Sequence, residues 1–357
     1  MNETGAKIPV AVLGATGVVG QRFVRRLARH PRFAIRQLAA SERSAGRRYR
    51  DACTWRLPGE PWAGLGDLEV VETSVAAAFA PVVFSALDAA TAREIEPALA
   101  RAGAAVFSNA SAFRMEDDVP LVVPEVNPES LALLDRQRRE RGWPGSIVCN
   151  PNCTAAVLVT ALAPLERAFG IEALLVATMQ AASGAGLPGV PSLDLLGNVV
   201  PYIRGEEEKV AEEVGKLLGR VDGERIEPAR FPVSAACHRV PVVDGHTEAV
   251  SLRLRGDPPL ALVREALERF EGEPQRLRLH SAPAPPLVVH EAPDRPQPRL
   301  DVDAGDGMTV HVGRLRPCPV LGVRMTVLGS NVERGAAGAS VLDAELALAT
   351  ERLPGLA

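Results

Sequence analysis

The opening of the chain admits few folds. Ile8–Leu13 is a short apolar run rich in branched residues, and Gly14, Gly17 and Gly20 follow it at once. From residue 21 to 30 the apolar positions Phe23, Val24 and Leu27 fall on one helical face, and Pro31 ends the segment. A strand, a glycine turn and a helix in direct succession form the start of a dinucleotide-binding parallel sheet. The glycines permit a tight turn and close backbone approach to a pyrophosphate, while the helix N-terminus offers N–H groups and the positive end of a dipole. The spacing is Gly-x-x-Gly-x-x-Gly rather than the commoner Gly-x-Gly-x-x-Gly. The reading therefore rests on placement between strand and helix more than on the pattern itself.

Further strands are expected at Phe33–Ala40, 82–87 and 104–108, with a helix at 93–102. Alternating strands and helices predict a parallel sheet covered on both faces, an α/β Rossmann-type domain. The character changes near Cys149. A helix is expected over Cys153–Phe169, and β-type runs at 173–180, 249–254, 308–315 and 324–328 suggest a mixed sheet in an α+β catalytic and dimerisation domain. Charged helices are expected at 206–218 and 258–270, and the Pro-rich stretch 283–298 reads as an exposed excursion. The Ala-rich tail, 335–352, is expected to be helical and to return to the first domain. With 357 residues the chain is long enough for two domains. The expected division is 1–152 with 332–357 for the dinucleotide-binding domain, and 153–331 for the catalytic domain.

Composition narrows the function. The formal net charge is −4 and charged residues make up 24%, which argues against nucleic acid or an anionic membrane as partner. No apolar run is long enough to span a bilayer, and residues 1–14 show no signal-peptide pattern. Five cysteines, an odd and sparse number, do not read as a disulfide framework, so a cytoplasmic protein with reduced thiols is expected.

The end of the second strand usually carries an acidic residue for the adenosine ribose. Here it is followed by Ser41, Glu42, Arg43 and Ser44. Ser41, Arg43 and Ser44 suit a 2′-phosphate, because Arg offers it a planar fork, so NADP is favoured. Glu42 is the type of residue that would instead serve an NAD ribose.

Cys149-Asn150-Pro151-Asn152-Cys153-Thr154 is the sharpest local feature. Asn-Pro-Asn predicts a tight turn, which puts Cys153 at the start of the following helix. The helix dipole there favours a thiolate, the species that a covalent thioester mechanism needs. Cys149 and Cys237 read as buried small hydrophobes. A zinc site from Cys149, Cys153, Cys237 and His238 is disfavoured, since Cys-x3-Cys is not the usual structural-zinc pair, and no metal is expected.

The stretches GATGVVG (14–20), SNASAFRM (108–115), CNPNCT (149–154), MQAASGAGLPGVPS (179–192), NVVPYIRGEEEK (198–209), HRVPVVDGH (238–246) and GSNVERGAAG (329–338) occur in one order along nearly the whole chain. Together they resemble the aspartate-semialdehyde dehydrogenases, in particular the archaeal and fungal-like branch. The resemblance implies Cys153 as nucleophile, Gln180 as the residue orienting the acyl group, and His246 as general acid/base. It implies Arg239 as the grip on the substrate α-carboxylate, Glu206 as the contact to its amino group, and Arg114 and Lys209, with Asn109, at the phosphate. It places the cofactor against Gly14, Thr16, Gly17, Val18, Val19, Ser41, Arg43, Ser44, Ser85, Ser183, Gly184 and Asn331. The substrate pair is then aspartyl phosphate and aspartate semialdehyde, with phosphate as co-substrate, in a homodimer or homotetramer. Glu206 and Lys209 stand at i and i+3, so one helix face presents both charges to a zwitterionic substrate.

Two other readings differ in chemistry. A malonyl-CoA or other acyl-phosphate or acyl-CoA reductase shares the architecture, but a CoA thioester has no need of Glu206 for an amino group. An inactive NADP-binding scaffold is expected to lack the thiol or the His, and both are present. Leu187 replaces an aromatic, Gly197 stands where an acidic residue is common, and Asp343 where Asn is frequent. None of these is a catalytic group.

Overall fold

The computed structural model describes residues 6–59, 64–353 and 355–356. The chain divides into two compact units, one of 1–120, 131–150 and 340–357, the other of 121–130 and 151–339.

The first unit is built on a six-stranded sheet ordered β3-β2-β1-β4-β5-β6. Its strands are β1 (Ile8–Leu13), β2 (Phe33–Ala40), β3 (Val70–Glu72), β4 (Val82–Ser85), β5 (Ala105–Ser108) and β6 (Ser146–Cys149). Every pairing is parallel. The order reverses between β1 and β4, the position where such sheets open a ligand crevice at their carboxyl ends. There Leu13 lies in register with Ser85. A run of buried aromatic residues fills the core, with Phe84 touching Phe23, Phe33 and Phe107. The first helix covers Val18–Leu27, starting three residues earlier than the apolar periodicity suggests. The periodic positions mark its buried face; Gly17, as N-cap, marks its start.

The second unit contains a mixed sheet ordered β10-β7-β11-β14-β13-β12. Its strands are β7 (Ile171–Gln180), β10 (Val233–Arg239), β11 (His246–Leu254), β12 (Leu287–Val289), β13 (Val310–Cys318) and β14 (Gly322–Gly329), with a separate hairpin of β8 (Arg220–Asp222) and β9 (Arg225–Glu227). The helix Cys153–Phe169 is buried along nearly all of its length, which explains its almost uninterrupted apolar sequence. The stretch 283–298 is not wholly an excursion. It contributes β12 to the sheet edge, parallel to β13, and Pro283, Pro286 and Pro296 are buried. Proline content signalled a break in regular structure and said nothing of this edge pairing. Strand β10 went unread because its Ser234, Ala235 and Ala236 give little hydrophobic alternation. The tail helix runs Ala337–Ala349, and its residues from Ser340 onward belong to the first unit, where Glu345 bonds His30 at 2.6 Å.

One buried ion pair ties distant parts of the second unit together. Arg334 and Glu125 are both fully buried and bond in a fork, at 2.7 and 2.8 Å. The Arg334 Nε also donates to the Met308 carbonyl at 2.8 Å. Removing one partner leaves an uncompensated buried charge. Glu125→Ala is expected to destabilise the protein by about 3–5 kcal/mol, read as a lowered midpoint in denaturant unfolding.

Candidate active site

In the first unit the glycine turn is sterically obligatory. A Cβ on Gly20 would sit 2.0 Å from the Gly14 carbonyl oxygen, and Gly14 itself has φ +70°. Gly17 caps the helix with no side-chain bond and no acidic residue follows in the first turn, so nothing there repels an anion. Thr16, Val18 and Val19 are half-buried around it. Ser41, Glu42 and Arg43 are exposed just beyond β2, and Ser44 closes a turn with its N–H on the Ser41 carbonyl at 2.8 Å. Ser85 ends β4. The turn, the helix end and the exposed Arg43 suit a phosphorylated dinucleotide. Asn109 and Arg114 follow β5. Asn109 donates to the Ser85 carbonyl and to Ser340 Oγ, and Arg114 Nη2 donates to the Asn109 carbonyl at 2.8 Å.

In the second unit the helix start gathers the reactive groups. Asn152 is the N-cap, its Oδ1 accepting from the Thr154 and Ala155 N–H groups at 2.9 and 3.2 Å. This fixes Cys153 in the first turn, where the helix field favours a thiolate. Its Sγ lies 3.2 Å from His246 Nε2. The His246 ring is completely buried, and the Ala181 N–H donates to its Nδ1 at 3.1 Å. A neutral ring that accepts at Nδ1 carries its proton on Nε2, facing the sulfur. Burial, and then the nearby Arg239 charge, push the His246 pKa down to about 3. The imidazole is therefore neutral at physiological pH, and its Nε2 proton faces the Cys153 sulfur.

Strand β7 ends at Gln180, in register with Arg239 at the end of β10. Gln180 Nε2 donates to Glu206 Oε1 at 2.9 Å and lies 3.4 Å from His246 Nε2. Asn152 Nδ2 donates to the same Glu206 oxygen at 2.9 Å, as does Thr154 Oγ1 at 3.4 Å. All three bonds land on Oε1, which leaves Oε2 for a cation. Arg239 is buried and donates from Nη1 to the Ala181 carbonyl at 2.7 Å. Lys209, half-buried, lies one turn along the Glu206–Leu217 helix from Glu206. Ser183 and Asn331 bond at 2.9 Å, and Asn331 accepts from the Gly245 N–H beside His246. A Cβ on Gly184 would lie 2.7 Å from Arg239 Nη1 and 3.2 Å from the His246 ring. Cys153, Gln180, Glu206, Arg239, His246 and Gly184 thus converge.

Several residues of this site were not singled out by sequence reasoning. Asn152 was read only as part of a turn, although an Asn directly before a helix is a capping signal. Glu213 accepts from the Asn152 N–H at 2.5 Å, and only the tertiary fold brings it there. Glu248, two residues beyond His246 on the same face of β11, is fully buried with neither carboxyl oxygen bonded, and burial raises its pKa well above the usual range. Gly335 backs the nucleophile: a Cβ there would lie 2.6 Å from the Cys153 Cβ. Cys149 and Cys237 are buried, as expected of core thiols.

This arrangement has counterparts. Residues 9–134 match the model of the semialdehyde dehydrogenase NAD binding domain, and 162–334 that of the semialdehyde dehydrogenase dimerisation domain. An aspartate-semialdehyde dehydrogenase of Methanothermobacter thermautotrophicus is 52% identical over 95% of this chain and 98% of its own length. The chain belongs to the aspartate-semialdehyde dehydrogenase family. A relative so named from Cryptococcus neoformans is 46% identical over 96% of this chain and 97% of its own, so archaeal and fungal members both align, as the motifs implied. Among solved structures, aspartate semialdehyde dehydrogenase from Candida albicans, crystallised with NADP, superposes with a TM-score of 0.89 at 44% identity, covering 97% of this chain and 100% of that one. The Vibrio cholerae enzyme II complexed with ASA superposes at 0.76 with 28% identity, over 96% and 99% of the two chains.

The His246 environment sets a pH dependence. In the unfolded chain the ring titrates near its ordinary 6.5, and in the fold near 3. Between these values the unfolded chain binds the extra proton, so stability falls as pH drops through that window. One such proton corresponds to a slope of about 1.4 kcal/mol per pH unit. His246→Gln is expected to flatten the loss of stability between pH 6 and 4 by about that slope, measured by denaturant unfolding at several pH values.

Proposed function

We propose that this chain catalyses the reversible NADPH-dependent reductive dephosphorylation of L-aspartyl 4-phosphate to L-aspartate 4-semialdehyde, the step that leads toward lysine, threonine and methionine. The observation that carries this is the 3.2 Å contact between Cys153 Sγ and a buried, neutral His246 at a capped helix N-terminus, next to Glu206 and Arg239. Gly14, Thr16, Gly17, Val18 and Val19 would hold the dinucleotide phosphates, Ser41, Arg43 and Ser44 the 2′-phosphate, and Ser85, Ser183, Gly184 and Asn331 the remainder. When bound, NADPH supplies the hydride that takes the acyl carbon to the aldehyde level.

The chain's own groups do the rest. Arg239 grips the α-carboxylate, and Glu206 Oε2 takes the amino group, its other oxygen being anchored by Asn152 and Gln180. Arg114, Asn109 and Lys209 are assigned to the phosphoryl group. The Cys153 thiolate attacks the acyl carbon, the carbon–oxygen bond to phosphate breaks, and a thioester forms on Sγ. Once the carbonyl carbon has been reduced, the tetrahedral adduct collapses, expelling the thiolate. His246 Nε2 donates and recovers the proton exchanged with the oxygen of that adduct. The positive end of the helix stabilises both the thiolate and the oxyanion.

No described helix is long and apolar enough to cross a membrane. None of the five cysteines is in a disulfide, and a working thiol needs a reducing compartment, which supports the cytoplasm. The match to a dimerisation domain supports a homo-oligomer, dimer or tetramer.

Cys153→Ala is expected to abolish phosphate-dependent reduction of NADP by aspartate semialdehyde, by at least about a thousandfold, while NADP still binds by fluorescence titration. Retained turnover would sink the assignment. The parent protein is expected to oxidise NADPH with aspartyl phosphate and not with malonyl-CoA.

A further inference from the structure

Far along the chain from the catalytic residues, the second unit gathers a second group of ligating side chains. His290 follows β12, His311 lies in β13, and Asp301 ends the short helix Pro298–Asp301. One potential ligand atom from each lies within 4.8 Å of the other two, the only such group among the described residues. We propose that His290, Asp301 and His311 form a binding site for a divalent first-row transition ion of the zinc class.

Two observations support it independently. The first is spacing. His290 Nε2 and His311 Nδ1 are 3.0 Å apart, and two nitrogens at zinc-ligand distance in tetrahedral geometry stand about 3.3 Å apart. The second is burial. His311 and Asp301 are each only 3% exposed, so two of the three ligands are held together out of bulk water. A hydrogen bond between the two rings also occupies only one proton. Replacing it with an ion engages both nitrogens as acceptors.

The protonation states suit coordination. Burial pushes the His311 pKa down to about 4 and that of His290 below its ordinary value, so both rings are in the neutral, ligating form at neutral pH. Asp301 is nearly buried; against the opposing effect of that burial, Arg295 and the Gln297 N–H hold its carboxyl below the usual range. Two imidazoles and a carboxylate leave open positions for water, and that donor set fits zinc, cobalt or iron better than magnesium or calcium.

Arg295 competes with the ion, since its guanidinium is paired with Asp301. Its side chain is 31% exposed, so it can turn outward when a cation arrives. The site bears on the catalytic region through packing. A Cβ on Gly245, next to His246, would meet Val302 at 3.0 Å and Pro298 at 3.3 Å, so the segment carrying Asp301 backs that turn. An ion fixing Asp301 to β12 and β13 braces it.

The test uses the full chain carrying Cys153→Ala, so that the reactive thiol cannot bind metal, after dialysis against a chelator. Zinc or cobalt(II) is then titrated, with calorimetry, cobalt absorption and the thermal midpoint as readouts. The expected result is one ion per chain, a raised midpoint, and at least tenfold weaker affinity in His290→Ala, whose half-exposed ring makes it the milder change, and in His311→Ala. Arg295→Gln is expected to bind the ion several-fold more tightly, because the competing cation is gone. No binding at micromolar metal, or the same affinity with His290→Ala in a chain of unchanged circular dichroism, overturns the proposal.

Discussion

The site depends on the start of one helix. Asn152 satisfies the Thr154 and Ala155 N–H groups, and Glu213 and Glu206 in turn hold the Asn152 backbone and side chain. Without that cap the first turn frays, and Cys153 loses both its position and the dipole behind it. The same anchored Glu206 oxygen fixes Gln180, so the residues assigned to the acyl group and the amino group are set by one hydrogen-bond cluster. A polar cluster of this kind, bonded several times over in a low-dielectric interior, holds its members rigidly.

Packing completes what the cap begins. Gly335 lets the chain pass directly behind Cys153, and the neighbouring Arg334 is locked to Glu125 by a buried fork. Arg239, the Ala181 carbonyl and the Ala181 N–H form a second link. One backbone residue orients the guanidinium through its oxygen and the His246 ring through its nitrogen. The nearby positive charge adds to burial in keeping His246 neutral, so its Nε2 proton is donated to sulfur rather than shared as an imidazolium.

Local patterns were legible where one segment sufficed. The glycine turn is visible because Gly14, Gly17 and Gly20 are spaced within a single strand–turn–helix, and the Asn-Pro-Asn turn places Cys153 at a helix start without reference to anything remote. The fold class followed from alternation of strands and helices. The roles of Arg114, Asn109, Lys209 and Arg239 came from resemblance, helical spacing adding only that Lys209 shares a face with Glu206, because a lone surface-type residue carries no local signature. Residues that matter through long-range contact, such as Glu213, Glu248, Arg334 and Gly335, left no readable pattern. Their partners lie tens to hundreds of positions away or, for Glu248, are absent among the described residues. The edge strand Leu287–Val289 was hidden for the same reason, its hydrogen bonds being supplied by β13.

The sequence by itself determined that this chain binds a dinucleotide through a parallel-sheet unit and presents a cysteine at a helix start, since both are written in short contiguous runs. The resemblance already pointed to His246, but only the tertiary structure decided which of its ring nitrogens faces that cysteine and why the ring stays neutral. The reason is physical: burial, the Ala181 N–H and the Arg239 charge act through space on His246, and their effect exists only once β7, β10 and β11 are paired. The same pairing of distant segments brings His290, Asp301 and His311 together, a cluster that no spacing along the chain announces.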